Sequence, residues 1–285
     1  MANLKEIRNR ISTVSSTMQI TSAMKMVSAA KLKKAQDAIT AMRPYSNKLT
    51  ELLQSLSATL DADSGSKFAE QREVKKVLLV AISSNRGLAG AFNSNIIKQV
   101  RVLLSDYKDQ EVSILTIGKK VNDAFGKKET IIANKSEVFD DLTYDNVADI
   151  AQMIMDQFVE GNFDKVELVY NSFKNAATQI VMTEQFLPIV PVESDANVNL
   201  DYIFEPSKQE IVETLIPKSL KTQLFKAIRD SFASEHGARM TAMHKATDNA
   251  TELRDQLKLT YNKARQAAIT NEILEIVGGA EALNS

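Results

Sequence analysis

The sequence predicts a mixed α/β fold, in which long N- and C-terminal helices form an antiparallel coiled coil around an inserted α/β domain. Three observations predict it. Residues 1–60 place apolar side chains at alternating steps of three and four, which is the heptad spacing of coiled coils. Residues 207–285 repeat that spacing. Residues 72–205 alternate short apolar runs with helical patterns, as α/β domains do.

The N-terminal helix is predicted from Leu4 to Leu60, because this stretch contains no glycine and its only proline is Pro44. At 1.5 Å per residue it would be about 80 Å long. The predicted seam residues are Leu4, Ile7, Ile11, Val14, Met18, Thr21, Lys25, Ser28, Leu32, Ala35, Ile39, Met42, Ser46, Leu49, Leu53, Leu56 and Leu60.

The middle of this seam is polar, while apolar side chains occur beside it at Ile20, Met24 and Val27. One interpretation is that the apolar stripe drifts around the helix, because 3.6 residues per turn does not match a repeat of seven. The other is that this segment faces a third body instead of its partner helix. The periodicity leaves both interpretations open.

Residues 1–48 are strongly basic, although the whole chain has a net charge of -1. The basic residues are Lys5, Arg8, Arg10, Lys25, Lys31, Lys33, Lys34, Arg43 and Lys48, against Glu6 and Asp37. Such a helix either presents a solvated face or binds an anionic partner, which could be an acidic protein surface, nucleic acid or lipid headgroups.

The inserted domain is predicted to be Rossmann-like, with a largely parallel sheet, because strands and helices alternate along it. Strands are predicted at 74–82, 112–117, 130–133, 166–170, 179–187 and 200–204, and helices at 93–104, 119–125 and 144–158. The polar segment 61–71 reads as the loop that precedes it.

The C-terminal helix is predicted to open with a capping box, Ser207 and Glu210, and to break or kink at Pro217 before it resumes at Ser219. Towards the end of the chain its predicted seam consists of Leu253, Leu257, Tyr261, Ala264, Ile269, Ile273, Ile276, Ala280 and Leu283. A seam of this length requires a partner helix, for which the N-terminal helix is the candidate.

No catalytic, cofactor-binding or metal-binding constellation is visible. The chain has no cysteine, and its two histidines, His236 and His244, lie eight residues apart on one predicted helix. The loop 83–92, SSNRGLAGAF, has glycines after a strand but lacks the spacing of the common phosphate-binding motifs. No apolar run reaches the ~20 residues of a membrane span, and the first residues lack a secretory signal.

Several stretches resemble the gamma subunit of F-type (proton-translocating) ATP synthases. They are 4–36, LKEIRNRISTVSSTMQITSAMKMVSAAKLKKAQ; 83–93, SSNRGLAGAFN; 204–206, FEP; 234–247, SEHGARMTAMHKAT; and 259–277, LTYNKARQAAITNEILEIV. The resemblance covers the whole chain and is most specific at its two ends. Two departures are Ala89, where many members have cysteine, and Ala91, where many have glycine.

The resemblance implies a central rotor shaft without catalytic residues of its own. Its partners would be alpha and beta subunits at 3:3:1, an epsilon subunit and the membrane c ring, with no nucleic acid. Proton flow through the ring would turn the shaft and drive the beta subunits through ATP synthesis, or hydrolysis in reverse. The protein would be a peripheral membrane protein on the cytoplasmic face of a bacterial plasma membrane. The alternative is a coiled-coil scaffold or tether without a rotary role.

The resemblance also implies contact residues. Those for the alpha and beta subunits are Arg8, Arg10, Met24, Lys25, Lys31, Lys33, Lys34, Glu235, Arg239, Arg265, Gln266 and Thr270. Those for the c ring and epsilon are Arg43, Tyr202 and Glu205. The basic residues would face acidic lever segments of the beta subunits, and the tip at 278–283 would turn in an apolar bearing.

Overall fold

A computed structural model of the chain describes residues 4–57, 67–189 and 208–284. Its elements are α1 (Leu4–Ser57), β1 (Lys76–Ile82), α2 (Phe92–Asp106), β2 (Glu111–Ile117), α3 (Lys119–Phe125), β3 (Thr130–Asn134), a 3-10 turn (Ser136–Phe139), α4 (Tyr144–Val159), β4 (Lys165–Phe173), β5 (Gln179–Leu187) and α5 (Lys208–Asn284). The strand predicted at 200–204 and the capping residue Ser207 lie outside the described residues.

The five strands form one sheet in the order β3-β2-β1-β4-β5. β1 runs parallel to β2 and β4, and β2 runs parallel to β3, whereas β4 and β5 pair antiparallel. The prediction of a largely parallel sheet is therefore confirmed. The antiparallel edge follows from the short connection between β4 and β5, which leaves no room for a crossover helix.

The central strand β1 explains why both faces of this sheet are covered. Successive side chains of a strand point to opposite faces, so Leu78 and Val80 join one buried cluster and Val77 and Leu79 the other. Helix α4 packs on the first face, and α2 and α3 pack on the second. Each fully buried side chain of this size contributes about 1.5–3 kcal/mol to folding.

The first third of α5 completes the first of these clusters. Ile216, Leu220, Leu224 and Ile228 recur every four residues along one face of the helix and are buried with α4 and the sheet. Pro217 lies inside α5 and does not end it, so the predicted break there is wrong. The base of α5 is therefore part of the α/β core.

The described chain divides into two compact units. One contains residues 4–28 of α1 and 240–284 of α5, and the other contains residues 29–239. The sequence boundaries at 1–60, 72–205 and 207–285 follow the secondary structure instead, and stay a prediction.

In the first unit α1 and α5 pair antiparallel. As the residue numbers along α1 increase, the numbers of their partners on α5 decrease. The hydrogen-bonded pairs are Arg8 with Tyr261 (2.7 Å), Met18 with Thr251 (3.3 Å), Thr21 with Thr247 (2.8 Å) and Lys25 with His244 (3.3 Å). The predicted antiparallel coiled coil is confirmed for these residues.

The polar part of the α1 seam keeps its heptad register. Thr21 and Ser28 are buried, whereas Ile20 and Val27 expose 60% and 57% of their surface. The interpretation that the apolar stripe drifts around α1 is therefore wrong. Polar residues are tolerated between the helices because the Thr21 hydroxyl is hydrogen-bonded to the hydroxyl of Thr247 on α5. The neighbouring apolar side chains therefore lie on the exposed face of α1.

The α5 seam departs from the prediction in two ways. Leu253 is 46% exposed, and its neighbours Thr251 and Arg254 contact Met18 instead. Beyond Ala264 the predicted seam residues with described side chains, Ile269, Ile273, Ile276 and Ala280, are exposed, as Ile273 at 54% shows. Arg8, in the second turn of α1, already pairs with Tyr261, so the later residues of α5 lie beyond this paired stretch.

Candidate functional site

Most of the described basic side chains of α1 are exposed. Arg8 and Arg10 lie in its second turn, where Arg8 also places its guanidinium 5.7 Å from the centre of the Tyr261 ring and Arg10 contacts Glu6 at 3.7 Å. Lys31, Lys33 and Lys34 follow further along α1 and are exposed too. Exposed cations of this kind are available to an acidic partner surface, and they contribute little to folding by themselves.

Met24 and Lys25 lie at the polar part of the α1 seam, and both are half-buried. The Lys25 ammonium lies 3.3 Å from Nδ1 of His244, so it is directed at α5. Met24 lies next to exposed apolar side chains at Ile20 and Val27. This stretch of α1 therefore presents an apolar surface beside a cation held by its own chain.

Arg265, Gln266 and Thr270 lie in the part of α5 that α1 does not cover, and all three are exposed. Apolar residues surround them: Leu259, Ile269, Ile273, Leu274, Ile276 and Val277 expose between 48% and 67% of their surface. The structure thus groups three polar predicted contacts with an exposed apolar surface on a single helix.

The foot residues cannot be assembled into a site. Arg43 lies on α1, but its side chain is outside the described part of the structure, as are Tyr202 and Glu205 altogether. Their role as contacts for a c ring and an epsilon subunit stays a prediction.

Glu235 and Arg239 occupy a different setting, since they are buried inside the second unit with only 8% and 7% of their surface exposed. Arg239 Nη1 donates a hydrogen bond to Oε1 of Glu235, one helical turn earlier. Its Nη2 donates to the backbone carbonyls of Arg86 and Gly87, at 3.2 and 3.3 Å. The Arg239 side chain therefore makes three hydrogen bonds to partners within its own chain.

Burial raises the pKa of the Glu235 carboxyl above its ordinary value, although the positive charges of Arg239 and Lys31 act in the opposite direction. A buried carboxylate is costly unless a cation and hydrogen bonds compensate it. Arg239 supplies both, which explains why this pair occurs one turn apart on a buried helix face.

The loop that contains Arg86 and Gly87 uses its polar groups internally. Ser84 Oγ donates to the carbonyl of Arg86 at 2.6 Å, and the Ser84 amide donates to Oδ1 of Asn93 at 3.0 Å. Asn85 Nδ2 donates to the carbonyl of Ser136 at 3.0 Å. These hydrogen bonds connect the loop to α2 through Asn93 and to the 3-10 turn through Ser136.

His236 lies beside this pair and is 4% exposed. Neither ring nitrogen has a hydrogen-bond partner among the described residues, and the ring packs edge-on against Phe232 at 4.5 Å. Burial lowers the pKa of His236 to about 3, and the positive charges of Arg239 and Lys31 act in the same direction. The histidine is thus neutral in the folded protein and serves packing.

Replacing His236 with phenylalanine is expected to reduce the acid sensitivity of folding. Below the ordinary histidine pKa of 6.5 the unfolded chain binds a proton that the folded chain accepts only near pH 3, so stability falls with pH between those values. Between about pH 7 and pH 5, the wild type should lose about 1–2 kcal/mol more than His236→Phe. Urea unfolding at both pH values measures this, and parallel losses in the two proteins would contradict it.

Sequence reasoning missed how segments 83–91 and 234–239 meet. Both were singled out for their resemblance to one family, but periodicity along a chain carries no information on which loop a buried arginine reaches. One available signal was the Glu235–Arg239 spacing of four, which places the two side chains together on one helix face.

The described ranges contain neither a metal-binding group nor a membrane-spanning helix. No group of three or more histidine, aspartate or glutamate side chains is arranged to hold a metal ion. None of the helices is long and apolar enough to cross a bilayer.

Comparison with known proteins gives consistent matches along the chain. A family model described as ATP synthase matches residues 3–283. The ATP synthase gamma chain of Flavobacterium psychrophilum is 75% identical over 284 residues, which cover 99% of both chains. That of Christiangramia forsetii is 70% identical over the full length of both.

Among solved structures, a chain of the rotor of the Euglena gracilis mitochondrial ATP synthase has a similar fold. The TM-score is 0.67 at 23% identity, covering 93% of this chain and 98% of that one. The fold agrees with that of a rotor chain, and the sequence matches agree on one family over nearly the full length. The chain belongs to the family of ATP synthase gamma chains.

Proposed function

We propose that this chain is the central rotor shaft of a bacterial F-type ATP synthase. It couples proton flow through a c ring to conformational cycling of the catalytic beta subunits, for ATP synthesis or hydrolysis. The chain itself performs no catalysis. It works at the cytoplasmic face of the plasma membrane and associates with the membrane only through the complex.

The observation that carries this proposal is the uncovered part of α5. Ile273, Ile276 and Val277 are all more than half exposed in the single chain. An exposed apolar surface of this kind marks a site that another protein surface covers. A sleeve formed by alternating alpha and beta subunits supplies such a surface. Gly278 and Gly279 near the tip have open space around them, which suits a weak bearing.

The polar contacts are proposed at two levels of the shaft. Arg265, Gln266 and Thr270 would hydrogen-bond the beta subunits, since a planar guanidinium can hold a carboxylate by two bonds. The exposed cations of α1 would face acidic levers of the same subunits. The proposed α1 contacts are Arg8, Arg10, Met24, Lys25, Lys31, Lys33 and Lys34.

Co-expression of the full chain with the alpha and beta subunits of the same organism tests the proposal. Native mass measurement should give one copy of the chain with three of each partner, and ATP hydrolysis should require the beta subunits. Recovery of the chain without either subunit, or as a complex with more than one copy of itself, would overturn the rotor and favour a scaffold or tether.

A further inference from the structure

The order of the strands points to a crevice that this chain fills with its own helix. In open α/β sheets, ligands bind beyond the carboxyl ends of two neighbouring strands whose crossovers run in opposite directions. Here those strands are β1 and β4, with β2 and β3 on one side and β5 on the other. We call the space beyond their carboxyl ends the switch crevice, and residues 234–239 of α5 occupy it.

Ser234 and Gly237 bring α5 close to the β4 side of the crevice. Ser234 is fully buried, and its hydroxyl donates to the backbone carbonyl of Asn171 at 3.0 Å. A Cβ at Gly237 would lie 3.2 Å from the Cα of Ala176 and 3.4 Å from the ring of Phe173. Small residues at this turn of α5 therefore allow the helix to approach β4.

Ala238 and Arg239 contact the β1 side. Ala238 forms a small buried cluster with Ala89 and Phe92. Arg239 places its guanidinium on the carbonyls of Arg86 and Gly87, and Glu235 holds the other end of the same group. The loop therefore offers carbonyl oxygens and a methyl-lined surface to a helix, in the position where related folds offer amides to a phosphate.

We propose that Arg239 is a positioning residue, which latches α5 into the switch crevice so that the α/β domain cannot rotate or slide against the helix. The latch is the Arg239 guanidinium with Glu235 and the carbonyls of Arg86 and Gly87. The proposal rests on the proposed rotor function for its purpose. A shaft transmits torque only if the domain at its base is fixed to it.

The chemistry of arginine explains this choice of residue. Its planar fork donates to several acceptors at fixed angles, whereas a lysine ammonium is a single point of charge on a flexible stem. One guanidinium can therefore satisfy the Glu235 carboxylate and two carbonyls at once. Arg239 is 7% exposed in the isolated chain, and its role as a direct contact for the alpha and beta subunits stays a prediction.

Thiol labelling of the full chain tests the latch without reference to rotation. The chain has no cysteine, so Ala89→Cys gives a single thiol in the contact with Ala238, where Ala89 is 2% exposed. Ala151→Cys, at a fully buried position of α4, gives a reference thiol in the same unit. Labelling rates under native conditions report how often each site opens.

Arg239→Ala is expected to speed labelling at position 89 by about ten- to a hundredfold, the range that loss of hydrogen bonds to a charged group gives. Labelling at position 151 should stay within about twofold, because the latch acts locally. Arg239→Lys should fall between wild type and Arg239→Ala. Arg254→Ala, which removes an α5 arginine bonded to Asp255, should leave position 89 unchanged.

Two results would overturn the latch. Equal acceleration at positions 89 and 151 would show that Arg239 merely stabilises the whole unit. Unchanged labelling at position 89 would show that the guanidinium does not hold the loop. Should Arg239→Ala fail to fold, Arg239→Lys and Glu235→Gln carry the same comparison, since each removes only part of the bonding.

The torque role is tested in the assembled complex by the ratio of ATP-driven proton pumping to ATP hydrolysis. Arg239→Ala should lower that ratio relative to wild type, with Arg239→Lys intermediate. Faster labelling with an unchanged ratio would keep the latch and overturn its role in torque. If the wild-type chain fails to assemble with alpha and beta subunits, the rotor function fails while the labelling result stands.

Discussion

Replacing Gly118 with alanine is expected to lower the free energy of unfolding of the α/β domain by about 3–5 kcal/mol, because strain and overpacking add. Gly118 has φ +112°, a conformation that side chains rarely adopt. A Cβ there would lie 2.2 Å from the backbone oxygen of Ser83. The clash is not easily relieved, because the atoms nearest to the added Cβ belong to the main chain of Ser83.

The surroundings make this position stricter still. Ser83 is buried at the end of β1, its amide donates to the carbonyl of Ile117 at 2.8 Å, and its hydroxyl accepts from the amide of Val121 at 3.1 Å. Shifting Ser83 would break both bonds, and with them the start of α3. A Cβ at position 118 therefore cannot be accommodated without breaking main-chain hydrogen bonds.

Urea unfolding followed by fluorescence or circular dichroism measures the effect. Gly87→Ala is the matched control, because Gly87 has no atom within 4 Å of the added Cβ and does not have a positive φ. Its change should stay within about 0.5 kcal/mol. Similar midpoints for the two variants would contradict the steric conflict between a side chain at position 118 and the Ser83 main chain.

Replacing Met24 with lysine is expected to uncouple the assembled complex while leaving the fold intact. Met24 is half-buried beside Lys25, and the surface around it is apolar through Ile20 and Val27. A second cation at this level would bind the acidic levers that the family resemblance places here, and so overstabilise some rotor angles. Folding should be little affected, because a lysine stem can extend to solvent.

The readout is the ratio of ATP-driven proton pumping to ATP hydrolysis, which should fall by about half or more. A new charge pair changes which rotor angles are favoured more than it changes how tightly the subunits bind. Met24→Leu is the control, because it keeps an uncharged apolar side chain of similar volume. An unchanged ratio for Met24→Lys, or an equal fall for Met24→Leu, would remove Met24 from the coupling surface.

Most of the fold could be predicted from the sequence because its signals are local. The apolar runs of β1 and β2, the 3.6-residue pattern of α4 and the heptads of α1 each occur within one continuous stretch. The paired helices followed from matching periodicity. The heptad repeat correctly predicts that Thr21 lies in the seam, although the apolar residues beside it are equally compatible with a seam that drifts around the helix.

The remaining features depend on contacts between distant segments. Nothing in the pattern of α5 shows that Ile216 and Leu224 join the α/β core while Ile273 stays uncovered. That difference depends on which segments of the chain lie against each part of α5. Arg239 was identified by resemblance as a contact, but only the folded chain shows that its partners are the carbonyls of Arg86 and Gly87.

The most direct test of the account is to watch the chain turn. The absence of cysteine allows one attachment point, Lys108→Cys, at an exposed turn after α2, to carry a bead on a complex whose beta subunits are fixed to glass. With ATP, the bead should rotate in one direction in steps of about 120°, because a threefold arrangement repeats every third of a turn. A bead that only fluctuates about one angle, in complexes that hydrolyse ATP, would contradict the rotor.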